Sequence, residues 1–288
     1  AGAALPKLRE IVGSWQPDFV IRESAEFGGA VAAELHGVPH VRVGIGLSEI
    51  GELVIRLASS GIDELRRSCG LDADDGEALR AEPVFTLFPA GLENPAFPAP
   101  KQTWRFRDPQ WETFGAQVSN SRPFVYVTFG SVAGAIPQVA SVYSEALEAV
   151  DGLDADVLLT IGRDADPGRF GTLPPNVRVE PWVDQAEILG RAAAVVCHGG
   201  GGTVLGTLAA GVPVVVAPLF AEDQHINARR VAACGAGVHV TPDATAIRNA
   251  VTSVLSEPSY RDTAQALAAE LASHPSTDES VAALTSLK

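Results

Sequence analysis

The chain has 288 residues and a mass of 30.0 kDa; with 46% hydrophobic and 19% charged residues it can build about two packed domains and is too apolar for long intrinsic disorder. Its 21 Lys and Arg against 35 Asp and Glu, spread along the chain, give a net charge of −14 and a pI near 4.8, which argues against a nucleic-acid or anionic-membrane partner. Cys69, Cys197 and Cys234 form no CxxC pair, which excludes a disulfide scaffold or a Cys-rich zinc site and suits a reducing cytoplasm.

In chain order, residues 2–15 are expected to be helical, 18–23 a strand, 27–36 a helix and 40–43 a second strand. Residues 61–70 again read as helix and 84–88 as a short strand, and the segment 89–121, rich in Pro, Asn and Gln, reads as an interdomain linker. Residues 123–241 alternate short β-rich apolar runs with amphipathic stretches, the signature of βα units around a parallel sheet. The strands fall at 124–129, 157–161, 177–180, 194–197, 214–217 and 237–240. Pro137 suits the first turn of a helix over 136–150. A helix over 227–234 places Ala228, Val231 and Ala232 on one face, and Gly235 closes it. Residues 243–287 read as two or three helices. The outcome is two α/β halves, the first of them short, with about three strands where a doubly wound sheet carries five or six.

The longest apolar run, 212–220, is interrupted by Pro218 and falls short of the roughly 20 residues that a membrane helix needs. The first residues lack the basic-then-apolar order of a secretory signal, so a cytoplasmic location is expected. Lysine is limited to Lys7, Lys101 and Lys288 in a chain rich in Arg, Ala, Gly and Val, which suggests a GC-rich bacterial source. Methionine is absent even at the first position, so the expressed chain is expected to be longer.

The most informative string is His198-Gly199-Gly200-Gly201-Gly202-Thr203, directly after one apolar strand and directly before a helical run. Glycines at such a turn let the backbone approach a ligand, and the free N–H groups and dipole of the helix start favour an anion such as phosphate. The Thr203 hydroxyl can add one donor; the alternative is a tight turn with no ligand. There is no GxxxxGK[ST], and no acid stands about 20 residues on at a strand end to hold a ribose, so neither a Walker nucleotide nor NAD fits.

That string, followed by Gly211-Val212-Pro213, Pro218-Leu219-Phe220-Ala221-Glu222-Asp223-Gln224 and Asn227-Ala228-Arg229-Arg230-Val231, resembles the donor-binding signature of family-one GT-B glycosyltransferases. More closely, it is similar to the actinobacterial enzymes, of calicheamicin or macrolide type, that attach sugars to antibiotic and polyketide aglycones. Tyr126-Val127-Thr128-Phe129-Gly130-Ser131, Val177-Arg178-Val179 with Trp182-Val183, and Gln185 agree with it. The resemblance covers at least residues 123–273 and reaches back weakly through Trp15-Gln16-Pro17-Asp18 and Gly37-Val38-Pro39-His40. It implies two Rossmann-like parallel-sheet domains facing across a cleft. A partial acceptor-binding domain would span 1–106, a linker 107–122 and the nucleotide-sugar donor domain 123–288, with the last helix free to cross back to the first domain.

The resemblance also implies roles. His198, Gly201, Gly202 and Thr203 would hold the donor diphosphate, and Gly130 and Ser131 would touch it from across the crevice. Trp182 and Val183 would receive the base, unless Trp182 is a core residue capping its strand. Asp223 and Gln224 would hold the sugar hydroxyls; Glu222 is equally a ligand or a solvated helix-start acid. Two departures from the family pattern are His225-Ile226 after Asp223-Gln224, and Leu205-Gly206-Thr207 where a ribose-orienting Glu is usual. The implied reaction is inverting transfer of a sugar from a TDP-sugar to a small hydrophobic aglycone, with helix dipole and amides taking the place of a metal. Asp154-Ala155-Asp156 and Asp164-Ala165-Asp166 resemble a DxD motif but read as loop acids, so no metal and no cofactor beyond the nucleotide sugar is assigned.

Glu23 aligns with the acid of the family's catalytic dyad and is the candidate that orients the base, or else an exposed strand-end acid. Neither His36 nor His40 stands at the motif of the base, which is expected, with on the order of one hundred residues, ahead of residue 1. Residues 48–68 are expected to be a variable loop on the acceptor side, whose mixture of Leu, Ile and Glu suits a mobile lid. Two other functions stay open: a UDP-sugar transferase that inactivates macrolides or builds glycolipid, and a non-catalytic nucleotide-sugar-binding module. Oligomeric state is open as well, a homodimer included.

Overall fold

The structure, a computed structural model, describes residues 1–113, 122–131, 133, 136 and 140–285. The chain forms two compact units, Ala1–Arg107 with His274–Lys288, and Asp108–Ser273. No described helix is long and apolar enough to cross a membrane.

The first unit runs α1 (Leu5–Trp15), β1 (Val20–Glu23), α2 (Gly28–His36), β2 (His40–Gly44), α3 (Ser48–Ser68), α4 (Glu77–Ala81), β3 (Val84–Thr86) and β4 (Thr103–Arg105). Its four strands pair in parallel in the order β1-β2-β3-β4. The expectation of three strands followed by a linker over 89–121 is corrected here. Val84 to Thr86 pair with Thr103 to Arg105, and Phe106 is buried on Val41 and Phe85. The Pro-rich stretch between them conceals a crossover that ends in an edge strand. Residues of the chain end return to this sheet: Arg107 N donates to Pro275 O at 2.9 Å, and Ala283 and Leu284 pack on the same cluster.

Residues 48–68 are one continuous helix of 21 residues, which corrects the expected loop; the helix expected over 61–70 is its last part. Ile55, Ile62 and the partly buried Val54 and Ala58 recur at helical spacing and pack against Phe27, Ala30 and Leu79. Its open start is capped from afar, since the Ser48 N–H and hydroxyl donate to the Glu93 carboxylate at 2.9 and 3.1 Å. Near its end the Arg66 guanidinium donates to Glu34 at 2.9 Å and to the Asp72 carbonyl at 2.7 Å.

The second unit runs β5 (Phe124–Thr128), α5 (Val142–Val150), β6 (Asp156–Thr160), β7 (Val177–Glu180), α6 (Gln185–Leu189), β8 (Ala194–Cys197), α7 (Gly201–Ala209), β9 (Val214–Val216), α8 (Glu222–Cys234), β10 (Gly237–His239), α9 (Ala244–Ser256) and α10 (Pro258–Ser273). All six strands are parallel in the order β10-β9-β8-β5-β6-β7. β8 and β9 are buried throughout, which is why these segments read as unbroken Val-rich runs rather than alternating ones. From β5 the chain winds one way through β6 and β7, then returns to β8 and winds the other way. The crevice beyond the carboxyl ends of β5 and β8 is therefore the topological switch point, where open α/β sheets bind ligands.

Helix bounds shift in the second unit as well. The helix expected over 136–150 is described as α5 from Val142, while Pro137 lies outside the described residues. α8 begins at Glu222 rather than 227, and Ala232 is exposed although Ala228 and Val231 are buried, because it follows Val231 a third of a turn off the packed face.

Candidate functional site

At the carboxyl end of β8 the chain turns through His198 into Gly199, which has φ +94; a Cβ there would lie 2.8 Å from both the Gln224 carbonyl and Val216 Cγ1. Only glycine fits, because the start of α8 packs directly on this backbone. The buried Asn227 fixes the turn further, its Nδ2 donating to Gly199 O at 2.8 Å. Gly200 then caps α7 without a side-chain bond, and the first intrahelical bond runs from Val204 N to Gly200 O at 3.1 Å. The N–H groups of Gly201, Gly202 and Thr203 thus have no partner within the helix and stand at the positive end of its dipole. A Cβ at Gly202 would meet nothing within 4 Å, so this side of the cradle is open.

Gly130, just past β5, has φ +79, and a Cβ on it would lie 2.9 Å from His198 Cε1; one on Gly200 would lie 2.6 Å from His198 Nε2. The imidazole is thus held between two glycines. Its Nδ1 is buried and has no hydrogen-bond partner among the described residues. Burial pushes the His198 pKa below its ordinary value of 6.5, and the Asp223 carboxylate offsets part of that shift.

A cleft of about 620 Å³ opens over these strand ends. It brings together Gly130, Ser131, Trp182, Val183, His198, Gly201, Gly202 and Thr203 from the expected donor set. Asp223 and Gln224 lie at the start of α8, outside that lining. Gln224 is buried and its Oε1 accepts from Leu219 N at 2.9 Å and Phe220 N at 3.2 Å, which presents the half-exposed Phe220 to the cleft. Glu222 is exposed and pairs with Arg229 at 3.4 Å.

Trp182 is 50% exposed at the end of β7, so it is not a strand-capping core residue. The Arg163 guanidinium stacks over its indole, 4.0 Å from the ring centroid. In the cleft lining, Gln185 Nε2 donates to the Tyr126 hydroxyl at 3.4 Å, and that hydroxyl lies 3.0 Å from Thr160 Oγ1. Thr207, in the segment where the family pattern carries an acid, is fully buried and donates to the Thr203 carbonyl at 2.7 Å. The sequence alone assigns no role to Arg163 or Asn227: Arg163 meets Trp182 only across two strand-end loops, and Asn227 shows its purpose only once α8 lies on the glycine turn.

Three of the four DxD-like acids are otherwise engaged. Asp154 and Asp156 pair with Arg122 at 3.1 and 3.3 Å at the amino end of β6, whereas Thr160 of the same strand lines the cleft at the other end. Asp166 accepts from Gly168 N at 2.9 Å. Among the described residues no three His, Cys, Asp or Glu side chains are grouped to hold a metal. In the first unit, Glu23 is exposed at the end of β1 and its Oε2 accepts from Ala25 N at 2.9 Å.

Two family models match the chain, both described as Erythromycin biosynthesis protein CIII-like: the N-terminal domain over residues 2–69 and the C-terminal domain over residues 144–287. Elloramycin glycosyltransferase ElmGT of Streptomyces olivaceus is 34% identical over 99% of this chain and 72% of its own length. L-demethylnoviosyl transferase of Streptomyces niveus is 31% identical over 94% of this chain and 72% of its own length. The crystal structure of CalG4, the calicheamicin glycosyltransferase, superposes with a TM-score of 0.82 at 23% identity, covering 99% of this chain and 77% of that one.

Proposed function

The chain belongs to the family-one GT-B glycosyltransferases of the actinobacterial natural-product type, and from that premise we propose that it moves a deoxysugar from a TDP-sugar to a hydroxyl of a small aglycone, with inversion and without a metal. The observation that carries this reading is the junction of a dipole-backed amide cradle, a partly buried imidazole and a half-exposed indole in one cleft at the switch point.

In the proposed reaction a base takes the proton of the acceptor hydroxyl, whose oxygen bonds to the anomeric carbon while the bond from that carbon to the diphosphate oxygen breaks. The leaving diphosphate gathers charge. The N–H groups of Gly201, Gly202 and Thr203 and the dipole of α7 stabilise it, with the Thr203 hydroxyl as a further donor. Trp182 backs the base, and Asp223 and Gln224 hold the sugar; Oε1 of Gln224 is already committed, so its Nε2 is the group left for a sugar oxygen. Glu23 is the proposed acid that orients the base. Thr203→Ala is expected to weaken binding of TDP by about 1–3 kcal/mol, read by titration calorimetry.

Proton linkage supplies a second expectation. His198 is held below 6.5 in the free protein by burial, and a diphosphate beside it raises its pKa. Between those two values binding takes up a proton, so affinity falls as pH rises through the pKa of the nucleotide-bound state. Calorimetry in two buffers of different ionisation enthalpy measures this uptake, and His198→Ala is expected to abolish it.

The test of the whole reading is titration with TDP and then UDP, without added metal. Tight TDP and weak UDP binding supports deoxysugar transfer. A UDP preference supports macrolide inactivation or glycolipid synthesis instead, and binding of neither refutes the donor site.

A further inference from the structure

Arg42, within β2, is 6% exposed, and its guanidinium forms no hydrogen bond among the described residues. Its Nε lies 3.1 Å from Glu82 Oε1 in an ion pair without a hydrogen bond. The acids around it are occupied. Glu82 accepts from Arg22 Nε at 3.2 Å and lies 3.1 Å from His40 Nδ1. Glu52 is gripped by Arg80 at 2.8 and 3.0 Å, and Glu93 takes both groups of Ser48 and stands 3.5 Å from Arg105. A buried Nε without a hydrogen bond is costly, and the planar fork of the guanidinium, which lines two cavities, matches a carboxylate.

Two cavities meet at this group, and both belong to the first unit. One, of about 60 Å³, lies at the carboxyl ends of β1, β2 and β3, beside Glu23, Gly44 and Thr86 and under Gly51 of α3. A water needs about 10–15 Å³ on this scale, so the chamber admits a carboxylate and little more. A Cβ at Gly51 would come within 2.9 Å of Arg42 Nη1, so the absent side chain leaves the guanidinium its room. The other, of about 340 Å³, shares Arg42 and Ser48 and offers apolar surface from Ile55, Phe97, Pro98 and Pro100.

We propose that Arg42 receives a carboxylate carried by the acceptor, whose flat apolar body lies in the larger groove. This rests on the reading of the first unit as the acceptor side. It narrows the substrate class to aglycones that combine a ring system with an ionised acid group.

The test uses the full chain, titrated calorimetrically with sodium 2-naphthoate, with methyl 2-naphthoate and with sodium acetate. The wild type is expected to bind the naphthoate, to bind the ester at least tenfold more weakly, and to bind acetate more weakly still. Arg42→Met is expected to lose naphthoate binding at least tenfold while its Tm stays within a few degrees, since Glu82 keeps Arg22. Gly51→Ala, with Arg42 intact, is expected to weaken naphthoate binding by crowding the guanidinium. Equal affinity for acid and ester, unchanged binding in Arg42→Met, or a collapse of its Tm would overturn the proposal, the last by making Arg42 a structural counter-ion. Acetate binding as tightly as naphthoate would overturn it in favour of a small free anion. TDP is titrated on the same samples: retained TDP binding with no naphthoate binding rejects the Arg42 proposal alone, and loss of TDP binding in the wild type rejects the donor reading instead.

Discussion

Glu82→Leu is expected to destabilise the first unit by about 3–5 kcal/mol, measured by urea unfolding. The Glu82 side chain is 1% exposed and is the shared counter-ion of Arg22, also 1% exposed, and Arg42, 7% exposed. His40 approaches the same carboxylate. Removing the carboxylate leaves two guanidinium groups buried with like charge, and neither can lose its proton to escape. Arg22 keeps its bonds to the carbonyls of Glu23, Ser24 and Glu26, which orient it but do not neutralise it. Glu82→Gln, which keeps shape and removes charge, should lose nearly as much. A loss under about 1 kcal/mol in both variants would show that solvent reaches the cluster and screens it. The asymmetry is informative, since Arg42→Met removes surplus positive charge and Glu82→Leu removes the carboxylate that Arg22 and Arg42 share.

The second large effect separates binding from folding within one glycine run. Gly199→Ala is expected to lose about 3–5 kcal/mol of stability, because the methyl group meets the α8 backbone 2.8 Å away and φ +94 is strained for any L side chain. Gly202→Ala meets no atom within 4 Å, so it should fold as the wild type does, with a slightly better helix start. Yet its methyl group enters the space above the amide cradle and keeps a phosphate from hydrogen-bonding distance. A loss of at least tenfold in TDP affinity, or about 1.4 kcal/mol, is expected at unchanged thermal stability. Wild-type TDP affinity in Gly202→Ala would move the phosphates away from α7 and leave the glycine run as a turn.

Some of this architecture is local, and local features are legible in one dimension. The six strands of the second unit stand out because a sheet covered on both faces demands short unbroken apolar runs, and Val214–Val216 and Ala194–Cys197 show nothing else. The glycine turn is legible for the same reason: the residues that free the backbone are adjacent to the helix whose end they expose. The first unit is less so. α3 is amphipathic over 21 residues, but its acids, arginines and internal glycines blur the pattern, and its start is capped by Glu93, a partner remote in sequence. β4 hides in a Pro-rich segment because three residues on a sheet edge need little hydrophobic run to be held.

By itself, then, the sequence determined the class of the fold, the position of the glycine cradle and the family, all of which rest on periodicity and on motifs a few residues long. The tertiary structure alone decided which strands are neighbours, and with that the site itself. Pairing of β5 with β8 sets Gly130 against His198, the α8 start makes Gly199 indispensable, and Arg163 reaches Trp182 across the sheet end. The same holds for Arg42, which as a sequence letter is one arginine among 18 and becomes singular only when every acid near it has taken another partner. Burial and pairing depend on neighbours distant in the chain, so they exist only once the sheet has closed around them.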